Sequence, residues 1–178
     1  MKTVIINGKK FVVFISSEKI QKTIKKLASD INKDYAGQQP LFISVLNGSF
    51  MFAADLFKSL AIDCEISFIK VNSYKGTQTT EKVNELIGLN QDIKDRKIIL
   101  LEDIVDTGIT LDTVIKNLIK FQPAHIKVAT LLSKPNAFKN QFKIDYLGIE
   151  IPNDFIVGYG LDYDGFGRNF PDIYKIIS

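Results

Sequence analysis

Three carboxylates fall within five residues of the stretch Leu100–Thr110, LLEDIVDTGIT: Glu102, Asp103 and Asp106 follow an apolar run and lead into a turn of small and hydroxyl residues. Like charges this close repel, so such a cluster calls for a cation or a polyhydroxyl partner. The turn itself, Asp106-Thr107-Gly108-Ile109-Thr110, suits a negative group. A helix starting there offers free amides and the positive end of its dipole; Gly108 lets the backbone close on an anion, and Thr107 and Thr110 add hydroxyls. A sugar phosphate with Mg²⁺ satisfies both halves, its hydroxyls donating to the acids and its phosphate resting on the loop. Taken alone, Asp106 or Thr107 also reads as an ordinary helix cap. No Gly-x-x-x-x-Gly-Lys-Ser/Thr motif occurs, so ATP hydrolysis by a Walker-type loop is not supported.

Composition narrows the remaining chemistry. With 178 residues, 46% hydrophobic and 24% charged, the chain fits one globular domain with a sizeable core. Its single cysteine, Cys64, reads as a buried small hydrophobe, and its single histidine, His125, as a surface or strand-start residue. Disulfides, Ser-His-Asp catalysis and His-based zinc sites are therefore disfavoured. A metal here must be a hard cation held by oxygen, which points to magnesium. A net charge of +3 is too mild to argue for nucleic acid. No apolar run approaches a membrane span and the N-terminus lacks a secretory apolar core, so a cytoplasmic location is expected.

The elements that must position these residues follow from periodicity. Asn7-Gly8 between β-branched runs predicts a hairpin. Ser16 or Ser17 caps a helix with Ile20, Ile24, Leu27 and Ile31 on one face, ended by Tyr35-Ala36-Gly37. Leu41 to Leu46 reads as a strand buried on both faces, turned by Asn47-Gly48-Ser49 into a helix carrying Phe52, Ala53, Leu56 and Leu60. Further strands are predicted at Cys64–Val71, Lys97–Asp103, Ile126–Leu132, Tyr146–Ile151 and Phe155–Tyr159, with a helix through Leu111, Val114, Ile115 and Leu118. Strands alternating with helices predict an α/β fold, a mainly parallel twisted sheet flanked by helices on both sides. Gly76 to Asn90 resists this pattern and reads as a mobile excursion with some strand character. In such a sheet ligands bind beyond the carboxyl ends of the strands, which is where LLEDIVDTGIT falls.

That stretch resembles the signature of type I phosphoribosyltransferases that binds 5-phosphoribosyl-1-diphosphate (PRPP). Val45–Leu56 (VLNGSFMFAADL), Ser73-Tyr74, Lys134 after ATLLS, and Ile151–Asn169 (IPNDFIVGYGLDYDGFGRN) are together similar to the hypoxanthine-guanine members of that family. The likeness covers nearly the whole chain in order. It implies one phosphoribosyltransferase domain over residues 1–178, with a small hood built from N-terminal and C-terminal segments. It also implies transfer of phosphoribosyl from PRPP to N9 of hypoxanthine or guanine, with release of pyrophosphate, and a homodimer or homotetramer.

Residue by residue, the resemblance implies that Glu102 and Asp103 hold the ribose hydroxyls and Mg²⁺, stabilising oxocarbenium character at the anomeric carbon. Asp106 faces purine N7 as the catalytic base. Thr107, Gly108, Ile109 and Thr110 hold the 5-phosphate through backbone amides. Lys134 donates to O6, Phe155 stacks on the base, and Ile156 and Asp162 offer backbone carbonyls to guanine. The Asp162 carboxylate also faces a second Mg²⁺. Leu46, Asn47 and Gly48 form the pyrophosphate loop, whose first peptide bond can be cis, and Arg168 neutralises pyrophosphate. Ser73 and Tyr74 open a lid that excludes water.

From the residues alone, Lys134 also reads as a solvated lysine at a strand end and Phe155 as a core strand residue. The chain departs from the family pattern at Asn47, where a lysine is common, and at Ile109, often basic; both affect PRPP affinity rather than reaction type. Xanthine remains open as an acceptor. A regulatory protein on the same fold would show an added DNA-binding segment or a strongly basic face, and neither is evident.

Overall fold

The structure, a computed structural model, describes residues 2–71, 86–137 and 142–177, with backbone alone at 86 and 87. Ser73 and Tyr74, and most of the 76–90 segment, lie outside the described residues.

The hairpin forms as β1 (Thr3–Ile6) and β2 (Lys9–Ile15). Helix α1 (Ser17–Asp34) is capped by Ser16, whose side chain accepts from the Lys19 amide. Its Ile20, Ile24, Leu27, Ala28 and Ile31 are buried at helical spacing, the isoleucines and the leucine each contributing roughly 1.5–3 kcal/mol by leaving water. Then follow β3 (Leu41–Leu46), α2 (Phe50–Phe57), β4 (Glu65–Val71), β5 (Leu86–Ile87), β6 (Lys97–Val105), α3 (Ile109–Ile119), β7 (His125–Ser133), β8 (Tyr146–Glu150), β9 (Ile156–Val157) and β10 (Ile173–Ile176).

The main sheet has the order β5-β4-β3-β6-β7-β8. Its five longer strands are parallel and β5 is antiparallel to β4. Alternate residues feed opposite layers, as a twofold strand period requires. Phe42, Ile99, Leu101, Ala129 and Leu131 pack with α1 and α2, whereas Leu41, Ile43, Val45, Ile98, Leu100 and Val128 pack with Leu111, Val114 and Leu118 of α3. Helices therefore cover both faces, as predicted. His125 does open a strand, where its Nε2 meets the Tyr35 hydroxyl at 2.8 Å.

Three expectations need correction. Leu60 lies beyond α2, in the turn after it, yet still packs on the core. Cys64 precedes β4 and is only partly buried against that same cluster. Phe155–Tyr159 does not extend the parallel sheet: only Ile156 and Val157 are strand, and they pair antiparallel with β10. Positive φ at Gly158, Tyr159 and Gly160 ends that strand. β1, β2, β10 and β9 form a second, four-stranded sheet, the hood that the resemblance implied. Among the described residues no helix is long and apolar enough to cross a membrane.

Candidate functional site

β6 delivers the acids. Its residues beyond Leu101 leave strict alternation: Ile104 packs on the α1–α2 side and Val105 on the α3 side, a slip of one position between Leu101 and Ile104. There the Ile104 amide donates to Asp103 Oδ1 at 2.9 Å. Asp103 is 8% exposed, and burial pushes its carboxyl up to about 6 against a smaller pull from its backbone donors and Arg168. Burial, and then Asp103 itself, raises Glu102 well above the ordinary carboxyl range. Glu102 Oε2 is buried with no hydrogen-bond partner among the described residues.

A buried carboxylate oxygen without a donor next to a second acid is an incomplete arrangement. Its all-oxygen donor set fits a hard cation such as Mg²⁺. Among the described residues no three His, Cys, Asp or Glu side chains converge on one point. Such an ion would thus draw most of its shell from substrate oxygens and water, as Mg²⁺ commonly does. Asp162 binds Arg168 at 2.6 Å and the Gly165 amide at 2.7 Å, and its charge reaches Asp103, whose carboxyl it helps to raise.

The next strand over brings Lys134. β6 and β7 run in register to Val105↔Ser133, and the Lys134 amide continues the ladder to the Val105 carbonyl at 2.9 Å. Asp106 and Lys134 therefore leave the sheet side by side, with Lys134 Nζ 2.7 Å from Asp106 Oδ2. Lys134 is 8% exposed, which rules out the solvated strand-end reading. The helix-cap reading of Asp106 also fails. The cap of α3 is Gly108 at φ 80°, with no side-chain cap bond, and Thr107 Oγ1 accepts a long 3.5 Å contact from the Ile109 amide. Ile109 and Thr110 are exposed at the first turn of α3.

Opposite the acids stands the Asn47-Gly48-Ser49 turn, entered through a cis Leu46–Asn47 peptide. Ser44 and Ser49, both fully buried, share a 2.6 Å hydroxyl contact that holds this turn to β3. A Cβ on Gly48 would stand 1.7 Å from Asp103 Oδ2; only a glycine lets the loop lie against that carboxylate. The other wall is the hood. Phe155 is 46% exposed and meets Tyr163 edge-on at 5.5 Å, which excludes the core-strand reading. Ile156 is buried in the main core, so its backbone, not its side chain, is what it can offer a ligand.

The phosphoribosyl transferase domain model matches residues 16–164. The chain belongs to the phosphoribosyltransferase family. Among relatives of this phosphoribosyltransferase, the hypoxanthine-guanine phosphoribosyltransferase of Streptococcus pneumoniae is 40% identical over 162 residues, 90% of each chain. That of Aquifex aeolicus is 34% identical over 173 residues, 96% of this chain and 97% of that one. A crystal structure of a hypoxanthine-guanine phosphoribosyltransferase from Bacillus anthracis superposes with a TM-score of 0.83 at 37% identity, covering 93% of this chain and 96% of that one.

The site thus brings together Glu102, Asp103, Asp106, Lys134, Gly48 and the α3 loop. Two contributors escaped sequence reasoning. Ser44 hid in an apolar strand, and Gly160 carries no signal beyond being a glycine, although a Cβ there would stand 2.0 Å from the Gly48 carbonyl oxygen.

Proposed function

We propose that the chain transfers the 5-phosphoribosyl group of PRPP to N9 of hypoxanthine or guanine, giving IMP or GMP and pyrophosphate, in purine salvage. The observation that carries this is the Lys134–Asp106 pair at 2.7 Å beside the phosphate loop. A 6-oxopurine presents O6 and N7 along one edge. In the N7–H tautomer that edge is an acceptor beside a donor, the complement of an ammonium beside a carboxylate. The base replaces the ion pair by bridging it: O6 accepts from Lys134 while N7–H donates to Asp106. As N9 bonds to the anomeric carbon and the pyrophosphate oxygen departs with its electron pair, Asp106 takes the N7 proton. Adenine offers an amino donor to Lys134, and sites built on such a bond discriminate by on the order of 10⁴.

Glu102 and Asp103 hold the ribose hydroxyls and Mg²⁺, and the ion, when bound, neutralises charge on the leaving pyrophosphate. Thr107 to Thr110 take the 5-phosphate, Leu46, Asn47, Gly48 and Arg168 the pyrophosphate, and Phe155 stacks on the base. Ile156 and Asp162 offer carbonyls to guanine, and the Asp162 carboxylate serves a second Mg²⁺. Assembly into a homodimer or homotetramer belongs to the same proposal. Phe50 of α2 and Phe68 of β4, each 42% exposed, are apolar surface that a second copy would cover; a monomer mass by light scattering refutes it.

The test is PRPP and Mg²⁺ with hypoxanthine, guanine, xanthine, adenine and uracil in turn. Turnover is expected with the first two, and none on any 6-oxopurine overturns the function.

A further inference from the structure

The loop bearing Asp162 and Arg168 is held from a distance. Tyr159 stands just before it, buried at 3% exposure and with φ at +50°, a backbone conformation that bulky L residues rarely adopt. Its hydroxyl donates to Asp55 Oδ2 at 2.6 Å. Asp55 also accepts from Gln21 Nε2 of α1 at 2.6 Å and from Lys58 Nζ at 2.8 Å. Asp55 lies in α2, the helix that opens from the Asn47-Gly48-Ser49 turn.

Gly160 follows Tyr159 and lies flat on Gly48, with no room for a Cβ. It also receives Arg168, whose Nη1 donates to the Gly160 carbonyl at 2.6 Å, while the Gly160 amide donates to the Arg168 carbonyl at 2.9 Å. One unbroken series of contacts therefore runs from Gln21 through Asp55, Tyr159 and Gly160 to Arg168 and Asp162. It meets the Gly48 loop on the way.

We propose that the Tyr159–Asp55 hydrogen bond is a positioning contact that sets the spacing between the two pyrophosphate-handling loops, so that Gly48 and Arg168 engage the diphosphate of PRPP together. The proposal rests on the assignment of both loops to pyrophosphate. Without the hydroxyl, a tyrosine held at positive φ has less to keep it there. Gly160 then shifts on Gly48 and Arg168 shifts with it. A displacement of about 1 Å at such a clamp costs on the order of a hundredfold in the extreme.

The experiment is steady-state kinetics of Tyr159→Phe, Asp55→Asn and the double variant, forward with PRPP and hypoxanthine and in reverse with pyrophosphate and IMP, beside thermal midpoints. Each single variant is expected to raise KM for PRPP and pyrophosphate by on the order of tenfold, with hypoxanthine and IMP within about twofold and the double no worse than the worse single. Tyr159→Phe keeps the ring and its packing, so it remains decisive if Asp55→Asn fails to fold. A uniform shift of all four KM values with a lowered thermal midpoint marks a merely structural bond and overturns the proposal. Arg168→Met separates the two readings. Unchanged PRPP and pyrophosphate KM in that variant overturns the loop assignment and the proposal with it, whereas a raised KM there with none in Tyr159→Phe overturns the positioning role alone.

Discussion

Glu102 and Asp103 are acids whose carboxyls are largely withdrawn from water, and that has a thermodynamic sign. A carboxyl whose value rises on folding makes the native state bind more protons than the unfolded chain, so stability falls as pH rises through the window. For Asp103 the window runs from 3.8 to about 6, and above it the cost is at most about 3 kcal/mol. Asp103→Asn is therefore expected to raise the thermal midpoint by several degrees at pH 7.5, with the gain gone below about pH 4. Its PRPP turnover should collapse, a trade of activity for stability that scanning calorimetry and a kinetic assay read together. Asp106 is paired with Lys134 at 2.7 Å. Asp106→Asn should lower turnover by about 10²–10³ while PRPP affinity, measured by calorimetric titration, changes little; an unchanged rate removes it from the base role. Asp106 was legible in the sequence as a residue type and spacing. That it faces Lys134, 28 positions later, was not.

Among the elements, β6, β7 and the turn into α2 decide the site because parallel register sets which side chains emerge together. The sequence predicts β6 to end at Asp103, but the ladder runs on to Val105. Hydrophobic alternation could not foresee this, because the one-residue slip between Leu101 and Ile104 breaks the period on which it relies. The Asn47-Gly48-Ser49 turn shows the same limit: its glycine is visible, its contact with Asp103 is not. Gly48→Ala should drive the Asp103 carboxylate aside, since the two cannot share that space. Binding of Mg²⁺-PRPP is expected to weaken at least about tenfold, with far-ultraviolet dichroism unchanged. Retained affinity would show that Asp103 is not needed where it stands.

Across the whole molecule, the hood is tied to helix α1 at Asp172. This buried acid accepts from Lys2 Nζ at 2.7 Å, from the Ser17 amide at 2.8 Å and from the Tyr174 hydroxyl at 3.3 Å. It thereby ties β1 and β10 to the start of α1. The Lys2 bond first, then the Ser17 amide, holds its carboxyl below the usual range, so its contribution is present above the unfolded value and is lost as pH falls through the lower folded one, opposite in sign to Asp103. Asp172→Asn should lower stability at pH 7 by about 1–2 kcal/mol, with wild type and variant converging in acid, as urea titrations at pH 7 and pH 3 would show. Since the hood carries Phe155 and Ile156, KM for hypoxanthine should rise more than KM for PRPP.

What the sequence by itself determined was local: the strand and helix periods, the anion loop after the acids, the hairpin at Asn7-Gly8, and the phosphoribosyltransferase family through motifs contiguous in the chain. Short-range sterics, capping and the hydrophobic period write these into neighbouring residues. Only the tertiary structure decided which residues meet across the fold. It set Lys134 on Asp106, Gly48 beneath Asp103, and Tyr159 against Asp55, and it moved Ile156 and Val157 out of the main sheet into the hood. Such contacts depend on register and close packing between segments far apart in sequence, and no local pattern of residue types encodes that distance.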